Sequence, residues 1–156
     1  MRMAYLILAH RDMDQLGALV ARLLRDDPDD RVVIHYDRGS PVSDEELRAF
    51  AGRFGGAVSL TPRLRCLWGH HSQVEAEWLL KKAATELPID YAHLISGQDW
   101  PVKTKAEMVA AIDPGTAYLS FERPERPERM DDYHFHDFML GPKAHSTSFK
   151  WRLDMT

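Results

Sequence analysis

The sequence contains one cysteine, no long apolar run and no surplus of positive charge, and each shortage removes a class of function. Cys66 has no partner for an internal disulfide and cannot found a cysteine-based metal site, so the chain suits a reducing compartment. No stretch approaches the roughly 18 apolar residues of a membrane-spanning helix. Met1 to Ala9 is too short for a signal peptide and lacks a separate charged leader, so it reads as a first strand. The expectation is a cytoplasmic protein with no transmembrane segment, association with a membrane being left open. With 20 basic against 24 acidic residues and a formal charge of −4, the chain lacks the clustered cations of a general nucleic-acid binder. Several motifs are missing too: a G-x-x-x-x-G-K-[ST] phosphate loop, a G-x-G-x-x-G after the first strand, a G-x-S-x-G elbow and a C-x-x-C pair. Kinase, dehydrogenase and serine-hydrolase readings lose support accordingly. An Asp-x-Asp within Asp26-Asp-Pro-Asp-Asp30, between a helix and a strand, reads as a solvated turn.

What is present is ordinary for one soluble globular domain: 156 residues, 44% hydrophobic and 28% charged. Strand-like runs cover residues 4–9, 32–36, 57–60, 91–95 and 116–121, with helical spacing between them, as in Leu16, Leu19, Val20, Leu23 and Leu24. Four pairs match the capping-box pattern at the expected helix starts: Asp12 with Gln15, Ser43 with Glu46, Ser72 with Glu75, and Thr104 with Glu107. Continuous apolar strands separated by helices predict an α/β fold, a Rossmann-like, mostly parallel sheet flanked by helices. The order of the strands is not readable.

The alternation dissolves at Glu122. Residues 122–129 form a charged, proline-punctuated stretch that reads as a solvated connector, followed by an aromatic cluster of Tyr133, Phe135 and Phe138. His134, His136 and Asp137 are the better candidates for a metal site, because an alternating His-x-His on a strand puts both rings on one face. A metal-dependent hydrolase built on them would lose activity to a chelator. His70 and His71 are weaker candidates, since adjacent residues rarely chelate one ion.

Ligands of open α/β sheets gather beyond the carboxyl ends of the strands. The residues there are His10 with Arg11, Asp37 with Arg38, the loop over 63–71, and Ser96 to Trp100. His10 can contact a ligand or merely support the helix beginning near Asp12. Asp37 can brace a turn through its own side chain, or accept hydrogen bonds from ribose hydroxyls or a base. Trp68 beside Gly69 offers a flat wall for a sugar or base, with burial in the core as the alternative. Leu94-Ile-Ser-Gly-Gln-Asp-Trp-Pro-Val-Lys103 is the most informative stretch, an apolar strand breaking into polar residues where a site belongs.

Four blocks, Ala4-Tyr-Leu-Ile-Leu-Ala-His-Arg-Asp12, Val33-Ile-His-Tyr-Asp-Arg38, Trp68-Gly-His-His-Ser-Gln-Val-Glu-Ala76 and Leu94 to Thr104, resemble successive blocks of one family. It is the core-2/I-branching β-1,6-N-acetylglucosaminyltransferase family, which includes the peptide O-xylosyltransferases. The resemblance extends through Glu128 to His134 and covers the amino-terminal half of the family's domain. It implies a GT-A-like fold and a UDP-sugar donor such as UDP-GlcNAc or UDP-xylose. It also implies a glycan or other hydroxyl acceptor, inversion at the anomeric carbon, and no obligatory metal or cofactor. By that resemblance His10 and Asp37, with Arg38 in the same block, fall where uridine binds, and Trp68 and Gly69 shape the donor pocket. Ser96, Gln98 and Asp99 stand in the block that replaces a metal-binding Asp-x-Asp, which makes Asp99 a neighbour of sugar or phosphate. Residues 1–121 are then expected to form the nucleotide-sugar-binding domain and 122–156 a charged loop with a partial continuation. The family's catalytic Glu has no counterpart here, nor have its distant cations, although Lys143, Lys150 and Arg152 are available. Two expectations follow: a piece of a glycosyltransferase whose general base lies beyond this chain, or a non-catalytic module that binds a nucleotide sugar.

Overall fold

A strand that is apolar on both faces has to lie inside a sheet covered on both sides, and β1 (Met3–Ala9) buries six of its seven residues. In the computed structural model, which describes residues 1–67, 70–113 and 115–118, β1 is flanked by β2 (Arg31–Tyr36) and β4 (Tyr91–Ser96). β3 (Val58–Leu60) extends the sheet to the order β3-β2-β1-β4, and every pairing is parallel. The register sets Leu6 between Val33 and Leu94, and Ile7 between Ile34 and Ile95.

Helices cover the two faces unequally. On one, Tyr5, Ile7, Ile34 and Tyr36 meet α1 (Met13–Leu23) through Leu16, Leu19 and Val20, and α2 (Asp44–Gly52) through Leu47 and Phe50. On the other, Ala4, Leu6 and Val33 meet Leu80 and Ala84 of α3 (Ser72–Thr85). Burying each such large side chain is worth about 1.5–3 kcal/mol. The chain steps from β1 to β2 to β3 along one face and returns by α3 along the other, as right-handed parallel crossovers require. Among the described residues β4 stands at the edge of the sheet: Ala92, His93 and Leu94 are exposed, and its outer rim pairs with no strand there.

Three of the four predicted helix starts form as expected. Asp12 accepts from Gln15 N at 3.0 Å while holding a left-handed backbone (φ 56°), and Ser43 with Glu46 closes a full capping box. So does Thr104 with Glu107 at α4 (Lys105–Ala110). Ser72 does not cap. It is the first residue of α3, its N–H is already taken by His70 Nδ1 at 3.1 Å, and its hydroxyl accepts instead from Leu67 N at 3.0 Å. The predicted strand over 116–121 is also corrected in part. Thr116 donates to Asp113 O across a turn with Gly115 at φ 81°, and residues 116–118 are not in a strand. Residues 119–121, like His134, His136, Asp137 and the charged stretch from 122, lie outside the described residues. Residues 1–112 form one compact unit.

The amino ends of the strands are tied by a part-buried ion cluster. Lys105 Nζ reaches Asp27 Oδ2 at 2.5 Å and Asp30 Oδ1 at 2.6 Å, and Asp30 Oδ1 also accepts from Met3 N at 2.8 Å. Asp30 is fully buried, and its Oδ2 has no hydrogen-bond partner among the described residues. Burial, aided by the nearby Asp30 carboxylate, pushes the Tyr5 hydroxyl up to about 12.

Candidate functional site

The strand order reverses at β1, so the crevice expected of such a sheet opens beyond the carboxyl ends of β1 and β4. A cavity of about 550 Å³ lies there. His10 reaches it from the end of β1, His35 and Asp37 from β2, and Ser96 and Asp99 from β4, with Cys66 on the loop after β3. Gly97 lets the two strand ends meet. It is buried, its N–H donates to Leu8 O at 2.8 Å, and a Cβ on it would come within 2.9 Å of Ala9 Cβ.

Asp37 does two things at once. Its Oδ1 accepts from Gly39 N at 3.1 Å, the turn-bracing contact, and from Cys66 N at 2.8 Å. Its Oδ2 has no hydrogen-bond partner among the described residues and belongs to a carboxylate on the cavity wall. Asp99 is similarly divided: Oδ2 accepts from Ser96 N at 2.7 Å and Asp99 N donates to Ser96 O at 3.0 Å, which closes the turn after β4. Ser96 Oγ accepts from Gln98 N at 3.3 Å, and His10 stands exposed at the rim.

Two other expected site residues, Gln98 and Arg38, do not line this cavity. Gln98 is latched to α1, its Oε1 accepting from Arg11 at 2.7 Å and its carbonyl from Gln15 at 3.2 Å. Arg38 points to the opposite side of the β2 end, into a separate cleft shared with Tyr36 and Arg63. Side chains alternate along an extended chain, so His35 and Asp37 share one face while Tyr36 and Arg38 take the other. Trp68 and Gly69 lie outside the described residues.

His35 was not singled out by the sequence, and Cys66 only as part of the loop over 63–71. His35 is 1% exposed, and its Nε2 accepts from Leu64 N at 3.0 Å, which fixes the neutral ring with its proton on Nδ1. Burial pulls its pKa down against the opposing pull of Asp37. Its signal was available, since it lies two positions before Asp37 on the same side of one strand. Burial, then the neighbouring carboxylates of Asp37 and Glu75, push the Cys66 thiol up, which leaves it protonated at neutral pH and a poor nucleophile.

At the entrance to α3 the two adjacent histidines form a chain. His70 Nδ1 accepts from Ser72 N, His70 Nε2 lies 3.3 Å from His71 Nδ1, and His71 Nε2 lies 2.8 Å from Glu75 Oε1. Among the described residues, no group of three or more His, Cys, Asp or Glu side chains is arranged to hold a metal ion.

Residues 3–152 match the family model described as Core-2/I-Branching enzyme. The chain belongs to that family. No curated protein matches the chain. The core-2/I-branching enzymes are glycosyltransferases, so membership implies a nucleotide-sugar donor and a glycan acceptor. The all-parallel sheet flanked by helices is the Rossmann-like, GT-A-type arrangement. Among the described residues of this branching-enzyme chain, no helix is long and apolar enough to cross a membrane.

Proposed function

We propose that the cavity beyond β1 and β4 receives the uridine end of a UDP-sugar. The sugar, GlcNAc or xylose, is then transferred with inversion to a hydroxyl of a glycan or other acceptor, with no metal or cofactor required. The observation that carries this reading is the convergence of His10, Asp37, Ser96 and Asp99 on one cavity, drawn from three separate strand ends. Its volume suits a nucleoside-sized ligand. The free Oδ2 of Asp37 suits a ribose hydroxyl or a base N–H, and Leu8, Leu94 and Ile95 supply an apolar floor.

No lysine or arginine is among the described residues lining this cavity. Diphosphate charge therefore has to be met elsewhere, because inverting transfer needs a cation at the leaving group as well as a general base at the nucleophile. Trp68 and Gly69 complete the reading as donor-pocket residues.

Radiolabelled UDP-GlcNAc and UDP-xylose, offered with a panel of glycan and peptide acceptors, test the proposal. Acceptor-dependent release of UDP that persists in chelator supports transfer as proposed. Saturable UDP binding without turnover would instead assign a donor-binding module. Absence of any UDP binding would refute the site itself.

A further inference from the structure

The second cleft, on the opposite side of the β2 end, has a chemistry of its own. It encloses about 420 Å³ between β2, β3 and α2. Three arginines line it, Arg38, Arg48 and Arg63, against one carboxylate, Asp44, on a chain whose net charge is −4. Arg63 is spent: it donates to the carbonyls of Tyr36, Asp37 and Val42 and to Asp44 Oδ1, at 2.8 to 3.1 Å. Its guanidinium also lies 5.8 Å from the centre of the Tyr36 ring, so it builds the wall rather than waiting for a ligand. The guanidiniums of Arg38 and Arg48 are different. Both residues are exposed, and neither side chain has a hydrogen-bond or ion-pair partner among the described residues. Hydrogen bonding to Arg63, then the fields of Arg63, Arg48 and Arg38, hold the Asp44 carboxyl below the usual range, so this single anion is already committed. The hydroxyl of Tyr36, another lining residue, is buried with no hydrogen-bond partner among the described residues. The rest of the lining is Ile34, Leu47, Leu60 and Pro62, with Thr61, whose hydroxyl donates to Pro62 O at 3.2 Å.

Two unspent planar guanidiniums above an apolar floor match a particular kind of molecule. The fork of a guanidinium pairs with carboxylate or phosphate oxygens through two parallel hydrogen bonds, and the floor asks for a hydrocarbon or aromatic body. We propose that this cleft is a second ligand site, separate from the donor cavity, for a small phosphate or carboxylate carried on an apolar body. Arg38 and Arg48 grip the acid group, and Leu60 and Pro62, the accessible apolar residues of the lining, take the body. The site does not depend on the donor reading. It shares the Tyr36-Asp37 backbone and the Arg63 brace with the donor cavity, but no lining side chain.

Titration calorimetry of the whole chain with phenyl phosphate, phenylacetate and 2-phenylethanol tests this. At least one of the two anions should bind saturably in low salt and more weakly at 0.5 M salt, and the neutral alcohol should bind at least about tenfold more weakly. The tighter anion identifies the acid group. Arg48→Gln should weaken the anion at least about tenfold and leave UDP binding unchanged. Should that variant melt early, Arg38→Gln serves as the second. The proposal is overturned if neither anion saturates, if the alcohol binds as well as the anions, if both arginine variants bind normally, or if UDP displaces the anion. Failure of UDP to bind anywhere would count against the donor cavity alone.

Discussion

Asp37 offers the sharpest test because its two oxygens do different work. Oδ1 holds the N–H groups of Gly39 and Cys66, while Oδ2 is unspent. Replacement by alanine removes both anchoring bonds; at about 1.5–3 kcal/mol for each bond to a charged acceptor, stability should fall by about 3 kcal/mol or more. Any loss of UDP affinity in that variant would then be ambiguous. Asp37→Asn separates the roles. An amide oxygen still accepts from both N–H groups, so stability should fall by only about 1–2 kcal/mol. The unspent oxygen becomes an NH₂ group that cannot accept from ribose or base, so affinity for UDP should drop by about 1–3 kcal/mol, or about 5- to 150-fold. Urea unfolding gives the first number and titration calorimetry on the folded protein the second. If Asp37→Asn binds UDP as the parent does, Asp37 is a loop brace and its place in the donor site is refuted. Equal destabilisation by the two variants would refute the division of labour between the oxygens.

Gly97→Ala should cost about 1–3 kcal/mol by forcing a methyl against Ala9, and Ala9→Gly in the same chain should restore part of it in urea unfolding. Lys105→Met leaves the fully buried Asp30 carboxylate without its cation and should cost about 3 kcal/mol, at the low end for a broken buried pair because Asp27 is partly solvated; adding Asp30→Asn should recover much of the loss. His35 has a pKa lowered by burial, so its contribution is complete above the ordinary value of 6.5 and shrinks as pH falls below it, where the unfolded chain takes up a proton that the folded chain refuses. The stability difference between the parent and His35→Gln should therefore narrow from pH 7.5 to 5.5, and a constant difference would contradict the buried neutral ring.

Much of the fold was legible because its strands are unbroken apolar runs, which only a sheet covered on both faces accepts, and because Asp12, Ser43 and Thr104 announce their helices. Ser72 matched the same pattern and failed, since the ring of His70 reached the open N–H first, a contact that spacing alone cannot reveal. Strand order had no sequence signal at all, yet it fixes the position of the crevice. At the site, the rule of strand ends found His10, Asp37, Ser96 and Asp99. It went astray where neighbours in sequence were treated as neighbours in space. Arg38 follows Asp37 but points the other way, and Gln98 is taken by Arg11. His35 escaped notice for the opposite reason, hidden inside an apolar strand.

Along the outer rim of β4, the backbone amides and carbonyls that would meet a fifth strand have no strand partner among the described residues, and the adjacent Leu94 is 39% exposed. Such a rim is a template for any extended segment that presents matching groups, whether from the same polypeptide or a neighbouring molecule. Where a second molecule supplies that segment the two chains would pair edge to edge, and a lysine substituted for Leu94 would oppose such pairing.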